Sequence, residues 1–317
     1  MTSAPRPGLG TMTLTGGYGG VDPAHARSVL DHALEHGVGL LDTADAYPGG
    51  EQLVASVRAV HPEHPVRIVT KIGLAGPPGR RSVCGRPDYL RHACKRSLQR
   101  LGGERLDILL LHRVDPQVPV EDSMSCLAQL VKEGKVAQIG LCTSDPGVLR
   151  RAATAAPLSF VQSALSVLAP AAAGGLLAAT RQIGCTLIAS SPLGRGLVAG
   201  DRAPSTLPAD DARAHVPEMD TLHRARAEAF RRLAAQVGMS DVDLALGWID
   251  SLGPDVVPIP GARSRKHVTQ NLRAQACELS PSALLAVGRF VSETRQIGHA
   301  QPGSPRGNDA RYRLGEP

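Results

Sequence analysis

The sequence has 317 residues, of which 42% are hydrophobic, 20% charged and only 3% aromatic. This length and apolar content suit either two domains or one large α/β barrel. The formal net charge of +6 is spread along the chain, and aromatic platforms for nucleic-acid bases are scarce, so a nucleic-acid partner is not expected.

Seven short segments have continuous rather than alternating hydrophobicity, which is typical of strands buried on both faces in a parallel sheet. They are 37–44, 66–73, 106–113, 136–143, 159–166, 185–192 and 255–262, and the N-terminal "GLGTMTL" (8–14) is predicted to be an eighth strand. Helical periods lie between them at 22–37, 86–102, 119–134, 219–238, 240–253 and 264–274. Several of these helical segments begin at a capping residue and end at a glycine.

This alternation predicts an α/β protein with a single (β/α)8 TIM barrel, long strand-end loops and a C-terminal helix and tail. A doubly wound sheet is the alternative, but no window has the G-x-G-x-x-G spacing that such a sheet usually carries. We expect the barrel over residues 1–298 and a polar tail over 299–317, which is either disordered or covers the barrel mouth. The unpatterned stretch 198–218 is too long for an ordinary connection and is predicted to be a functional loop.

The cysteines and the chain start indicate the compartment. Six scattered cysteines have no C-x-x-C spacing, which argues against a zinc knuckle or a disulfide framework. Residues 1–10 lack an apolar signal segment, and no apolar run approaches the ~18 residues of a membrane span. We therefore expect a soluble, cytoplasmic protein without a membrane partner, acting as a monomer or weak homo-oligomer.

Four ionisable residues occur at or just after the ends of consecutive predicted strands. Asp42 lies near the end of the second strand and Tyr47 five residues later, Lys71 lies near the end of the third and His112 near the end of the fourth. Because the carboxyl ends of barrel strands meet at one mouth, these side chains are expected to converge. In isolation each has an ordinary explanation, such as a helix N-cap for Asp42 or a core histidine for His112.

Together the four residues form a set that can protonate a carbonyl oxygen. Lys71 would stabilise the phenolate of Tyr47 and so make Tyr47 a usable acid, while Asp42 would hold Lys71 charged and oriented. His112 would hydrogen-bond the carbonyl oxygen. Hydride must then come from a cofactor, because no side chain supplies it.

A series of short motifs runs through the chain in a fixed order. They are "LDTADAY" followed by "GGE", "VTKIG", "LLLHRVD", "IGLCTSD", "FVQS", "SPLGRGL" and "PIPGARSRKHVTQNL". Over residues 8–295 this order resembles the aldo-keto reductase superfamily. The resemblance implies an NADP(H)-dependent oxidoreductase on a barrel without a Rossmann domain. Its substrate would be a small aldehyde, ketone or alcohol, and its catalytic tetrad would be Asp42, Tyr47, Lys71 and His112.

The resemblance also implies a cofactor site. Gln162 would hold the nicotinamide carboxamide with the residues after the fifth strand, and "SPLGRG" (191–196) would hold the pyrophosphate. The full set that it assigns to the cofactor is Thr11, Met12, Asp42, Thr143, Gln162, Ser190, Pro192, Leu193, Gly194, Arg195, Gly196, Gly261, Arg263, Ser264, Gln270 and Asn271. Because the basic run "RSRKH" (263–267) begins a helix after Gly261, it is also a natural phosphate site.

Two positions depart from the family pattern. Cys142 and Thr143 stand where Ser-Asn is common after the fifth strand, and Cys142 is expected to be a small core residue. Ser190 stands where an aromatic residue usually stacks on the nicotinamide. Trp248, within an apolar helical pattern, is predicted to lie in the core.

Other functions remain open at this point. The barrel could keep the nucleotide as a regulatory or sensing protein with little turnover, although the intact tetrad argues against this. It could also perform non-redox chemistry around a structural cofactor. A metal-dependent hydrolase is disfavoured, because no H-x-H pair or His/Asp cluster lies at the strand ends.

Overall fold

The computed structural model describes residues 7–77, 80–199, 207, 211–215 and 221–299. Most of the predicted functional loop at 198–218 lies outside these residues. The polar tail at 299–317 does too, apart from the backbone of residue 299.

Eight parallel strands form one sheet that curls into a barrel, with neighbours following chain order. They are β1 (Gly8–Gly10), β2 (Leu40–Asp42), β3 (Arg67–Ile72), β6 (Leu106–Leu111), β7 (Val136–Cys142), β8 (Phe160–Ala164), β9 (Thr186–Ser190) and β10 (Val256–Pro258). Two further short strands are β4 (Leu74–Ala75) and β5 (Ser82–Val83). Only β4 and β5 stand apart from the barrel within the described residues, as an antiparallel hairpin. The predicted TIM barrel is confirmed.

The barrel closes where its first strand meets the segment after its last. The backbone N–H of Gly10 donates to the Pro260 carbonyl at 3.1 Å, and Gly10 is bridged to Gly261 in parallel. A Cβ on Gly8 would lie 2.7 Å from the Pro258 oxygen. Glycine at this position therefore lets the two strands approach closely.

The barrel interior is a small apolar core that supports a polar layer above it. Its buried members are Leu40, Val69, Ile108, Leu110, Phe160, Ile188, Val257 and Ile259. Alternate residues of a strand share a face, so Asp42 lies above Leu40, Lys71 above Val69 and His112 above Leu110. The strand period thus puts these three residues on the inside, at the carboxyl ends of the strands.

Within the described residues, ten α-helices surround the strands, and the larger apolar core lies between the two layers. They are α1 (Pro23–Glu35), α2 (Gly50–Arg58), α3 (Pro87–Leu101), α4 (Val120–Lys132), α5 (Pro146–Ala155), α6 (Gly175–Ile183), α7 (Thr221–Gln236), α8 (Asp241–Ser251), α9 (Arg265–Gln275) and α10 (Pro281–His299). Side-chain caps fix several starts: Asp22 accepts from the His25 amide at 2.9 Å, and Ser264 accepts from the His267 amide at 3.2 Å. Trp248 is 6% exposed and lies in the core, as predicted.

The sequence patterns did not identify three of the shorter helices, α2, α5 and α6. Among the described helices, none is both long enough and apolar enough to cross a membrane.

Candidate active site

Lys71 is the centre of the polar layer. Its Nζ donates to Asp42 Oδ1 at 2.6 Å and to the Thr43 carbonyl at 2.6 Å. The Lys71 and Asp42 side chains are 2% and 4% exposed, so the pair is almost fully removed from water. A buried ammonium is tolerable here because a carboxylate and a carbonyl replace its hydration.

Tyr47 and His112 lie close to this pair, and both are half-buried. The Tyr47 ring centroid is 5.2 Å from Lys71 Nζ and 6.2 Å from the His112 ring centroid, with the two rings nearly perpendicular at 82°. A tight turn holds Tyr47, whose amide donates to the Ala44 carbonyl at 3.0 Å. A Cβ on Gly50 would lie 3.0 Å from Tyr47 Cβ, so a glycine lets α2 start directly behind the tyrosine. The structure thus brings all four predicted catalytic residues together.

The charge states of Lys71 and His112 follow from this arrangement. Burial by itself lowers the pKa of Lys71, but the charges of Asp42 and Tyr47 and the hydrogen bond to Asp42 outweigh it and raise the pKa above its usual value. Burial and the nearby cations of Lys71, Arg113 and Arg81 hold the pKa of His112 well below 6.5. At neutral pH the site therefore contains an ammonium and a neutral imidazole.

Gln162 connects the tetrad to the predicted nicotinamide region. Its Nε2 donates to Asp42 Oδ2 at 2.7 Å, and the Cys142 thiol lies 3.9 Å from its Oε1. Burial raises the pKa of Cys142 to about 12, so this thiol is neutral, in keeping with the small core residue that was expected. Thr143 is buried, and its hydroxyl oxygen accepts from the Asp145 amide at 3.1 Å.

A second buried carboxylate supports the tetrad from behind. Glu51, at the start of α2, is 1% exposed and accepts from Thr70 Oγ1 at 2.6 Å and from Arg100 Nε at 2.5 Å. Thr70 precedes Lys71 on β3, so this network links the helix behind Tyr47 to the strand that carries Lys71. Sequence reasoning did not assign a role to Glu51, although "GGE" was among the motifs.

Asp45, two residues before Tyr47, was also missed. Its Oδ1 is buried without a hydrogen-bond partner among the described residues. Burial, followed by the charge of Glu51, raises the pKa of Asp45 to about 7. The turn that carries Tyr47 therefore also carries a carboxyl group whose pKa lies near neutral pH.

Thr11 and the residues after β10 lie around the junction that closes the barrel. Thr11 Oγ1 donates to the Asp42 carbonyl at 2.9 Å, and Met12 begins a short 3₁₀ turn over Met12–Leu14. A Cβ on Gly261 would lie 2.7 Å from Thr13 Cγ2, and Asn271 Nδ2 donates to the Gly261 carbonyl at 3.2 Å. These contacts join the start of the barrel to the start of α9.

The cationic side chains that were predicted to bind a phosphate lie at the start of α9, in two different environments. The Arg263 guanidinium donates to the carbonyls of Tyr18 and Gly20, which ties it to the loop before α1. Arg265 and Lys266 are exposed in the first turn of α9, and Ser264 caps the helix. Gln270, one turn later, is half-buried.

The segment after β9 has an unusual backbone. Ser191 and Arg195 have φ angles of 51° and 57°, which non-glycine residues rarely adopt, and Gly194 and Gly196 have φ angles of 57° and 92°. Consecutive residues of this kind form concave loops whose amides can face an anion, and strained residues cluster at binding sites. Pro192 and Leu193 complete the segment.

A pocket lies between this segment and the residues that follow β8. Its lining includes Ser166, Ser191, Arg195 and His223. His223, on α7, was not identified from the sequence.

These residues fit a nicotinamide dinucleotide. His112 Nδ1 and Thr43 Oγ1 are buried without hydrogen-bond partners in the described part of the chain, so the polar layer retains unused hydrogen-bonding capacity. The segment at 191–196 and the N-terminus of α9 carry backbone amides and cationic side chains, which are groups that can bind phosphates.

The profile of the Aldo/keto reductase family matches residues 8–288. The chain belongs to this family. It is 34% identical to the probable aldo-keto reductase 1 of Glycine max, over 93% of this chain and 87% of that protein. It is 30% identical to the aldo-keto reductase str7 of Strobilurus tenacellus, over 92% of this chain and 88% of that protein.

Solved structures of aldo-keto reductases have the same barrel. A glycerol dehydrogenase from Gluconobacter oxydans superposes with a TM-score of 0.80 at 26% identity, covering 94% of this chain and 93% of that one. The holo form of an aldo-keto reductase from Bacillus halodurans superposes with a TM-score of 0.75 at 23% identity, covering 90% of this chain and 91% of that one. At this identity the similarity supports the fold alone. Membership of the aldo-keto reductase family makes this chain an oxidoreductase that uses a nicotinamide cofactor.

Proposed function

We propose that this aldo-keto reductase interconverts an aldehyde or ketone and the corresponding alcohol, with NADP(H) as cofactor and Tyr47 as proton donor. The observation that carries the proposal is the position of Lys71 Nζ, which is paired to Asp42 at 2.6 Å and lies 5.2 Å from the Tyr47 ring centroid. A fixed positive charge at this distance stabilises a phenolate and so makes the tyrosine a stronger acid.

Each side chain then has a defined task. The neutral imidazole of His112 donates a hydrogen bond to the substrate carbonyl oxygen and orients it beside the Tyr47 hydroxyl. Tyr47 transfers its proton to that oxygen, and Lys71 stabilises the phenolate that remains. A bound nicotinamide supplies the hydride that the carbonyl carbon accepts. Asp42 keeps Lys71 in place, and Gln162 fixes the second oxygen of Asp42.

The direct test is turnover with a panel of small aldehydes, ketones and keto-sugars, following the oxidation of NADPH by absorbance. The similarity to a glycerol dehydrogenase is a reason to include glyceraldehyde and dihydroxyacetone, with glycerol and NADP⁺ for the reverse direction. Turnover that saturates with at least one carbonyl compound is expected. Tight NADPH binding without turnover on any panel member would instead favour a regulatory protein.

Cofactor preference should depend on the exposed cations of α9. Arg265 and Lys266 lie in the first turn of the helix and are proposed to contact the 2′-phosphate, while Arg263 is held by Tyr18 and Gly20. Replacing both exposed residues with Ala should weaken NADPH binding roughly 10-fold or more, as expected for a charge-assisted hydrogen bond, and leave NADH binding nearly unchanged. Fluorescence titration at low and high salt measures the affinities for NADPH and NADH. Higher salt should reduce the preference of the wild-type protein for NADPH over NADH.

Lys132→Ala is the matched control, since it removes an exposed cation from α4. Equal affinity of the wild-type protein for NADPH and NADH at low salt would refute the assignment.

Ser190 is proposed to lie beneath the nicotinamide, because it ends β9 two residues beyond the barrel-facing Ile188. Ser190→Tyr should restore an aromatic stack worth about 0.5 to 1.5 kcal/mol and tighten NADPH binding roughly two- to thirteen-fold, without abolishing turnover. Ser190→Ala, which adds no ring, should leave affinity unchanged. Unchanged affinity in the Tyr variant, or a blocked site, would show that Ser190 does not occupy the stacking position.

A further inference from the structure

The last turn of α1 carries two histidines and a glutamate, on the outside of the barrel. One ring nitrogen of His32, one of His36 and a carboxylate oxygen of Glu35 all lie within 4.8 Å of one another. The histidines are four residues apart, so they project from the same face of the helix, and their ring centroids are 3.9 Å apart. His32 is partly buried, whereas Glu35 and His36 are exposed.

Hydrogen bonds fix which nitrogen of His36 is available. Its Nδ1 lies 2.8 Å from the His32 carbonyl oxygen. Because a carbonyl oxygen can only accept, Nδ1 carries the hydrogen in this bond. In the neutral ring Nε2 is then unprotonated, which is the form that binds a metal ion.

The same reasoning applies to His32, through a neighbouring helix. Thr269 Oγ1, on α9, donates to the Arg265 carbonyl at 3.2 Å, so its single hydrogen is used. His32 Nε2 lies 3.0 Å from this oxygen, which can then accept the hydrogen of Nε2. In that tautomer the free electron pair of His32 is on Nδ1. Metal-binding histidines commonly have such a partner on the other ring nitrogen, which sets the orientation and the tautomer.

The electrostatics of the helix end are suited to a cation. α1 ends at Glu35, with His36 as the C-cap, so the negative end of the helix dipole lies at these side chains. Glu35 adds a full negative charge beside His32, and the nearby positive charge of Arg265 opposes it. Two imidazoles and a carboxylate are ligands that zinc and its neighbours in the first transition series prefer, with water completing the coordination.

We propose that His32, Glu35 and His36 form a surface site for a divalent transition-metal ion of the zinc class, separate from the catalytic mouth. Zinc–nitrogen bonds are about 2.0 to 2.1 Å long, so small rotations of the exposed Glu35 and His36 side chains would bring the three ligands onto one ion. A metal bound to His32 Nδ1 also holds the Nε2–H toward Thr269. The ion would therefore strengthen the contact between α1 and α9.

The test uses the tag-free full-length protein. Zn²⁺ binding is measured by calorimetric titration, and Co²⁺ binding is measured by visible absorbance. The wild-type protein should bind one ion at this site, and its thermal midpoint should rise with the metal concentration. His36→Ala and His32→Ala should each lose this binding event. Thr269→Val, which removes only the partner of His32, should weaken it roughly 10-fold.

His92→Ala is the matched control. His92 is an exposed histidine on α3 whose Nδ1 also bonds a backbone carbonyl four residues earlier, that of Asp88 at 2.7 Å. This variant should bind zinc like the wild-type protein. Equal zinc stoichiometry and affinity in the wild-type and His36→Ala proteins, or a wild-type protein without saturable binding, would overturn the proposal. Circular dichroism of each apo variant separates loss of the site from loss of the fold.

Discussion

Tyr47→Phe should lower turnover about 100-fold or more, the usual effect of removing a general acid. The substitution deletes one hydroxyl from a half-buried ring whose centroid is 6.2 Å from that of His112 and 5.2 Å from Lys71 Nζ. The ring itself remains, so its contacts with Lys71 and His112 are kept. Steady-state kinetics should show the loss in kcat, while NADPH titration should show nearly unchanged affinity.

Tyr89→Phe provides the control for loss of a tyrosine hydroxyl. Tyr89, on α3, donates to the Leu74 carbonyl at 2.7 Å, outside the tetrad. Its variant should keep turnover within a few-fold of the wild-type value. If Tyr47→Phe kept full turnover, Tyr47 would not be the proton donor, and the proposed mechanism would have to be abandoned.

Lys71→Met should reduce both turnover and stability, and its effect on stability should be the largest of these substitutions. It leaves Asp42, only 3% exposed, as a buried carboxylate without its cation. Removing one partner of a buried ion pair typically costs about 3–5 kcal/mol. Urea unfolding measures this loss, and the NADPH assay should show turnover close to background.

A second substitution separates folding from catalysis. Lys71→Met combined with Asp42→Asn removes both charges, so stability should return toward the wild-type value while turnover stays lost. Recovery of turnover in the double variant would show that the charge of Lys71 is not needed. If Lys71→Met alone caused no loss of stability, the buried pair would not be a net stabilising contact.

The pH dependence of the Lys71 contribution has a definite sign. Because the folded-state pKa of Lys71 is raised above its usual 10.5, the pair contributes its full stability below that value. The contribution declines only as pH rises beyond 10.5 towards the folded-state pKa. The stability difference between wild type and Lys71→Met should therefore stay constant from about pH 7 to pH 10.

The barrel could be predicted because its strands are buried on both faces. Segments such as "LDILLLHR" carry continuous apolar runs, and the period of two puts His112 on the same face as Leu110. Convergence of the tetrad then follows from the fold. The four catalytic roles and the cofactor contacts remain predictions.

Other features left weaker signals in the sequence. α2 starts after Gly49, which has a φ angle of 65° and no capping side chain, so nothing marks its beginning. α5 did carry a signal, since Asp145 caps it and Pro146 follows. The bond from Gln162 to Asp42 joins residues 120 positions apart, and periodicity carries no information about such a contact.

The β4–β5 hairpin is a part of the structure that can vary without changing the barrel sheet. It follows Lys71 by only a few residues. Three hydrogen bonds hold it in place: the Cys84 amide donates to the Gly73 carbonyl, the Tyr89 hydroxyl to the Leu74 carbonyl and the Arg81 guanidinium to the Ala46 carbonyl. None of its strand pairs belongs to the barrel ladder. Substitutions confined to this hairpin would therefore change the surface beside Lys71 without altering the register of the barrel strands.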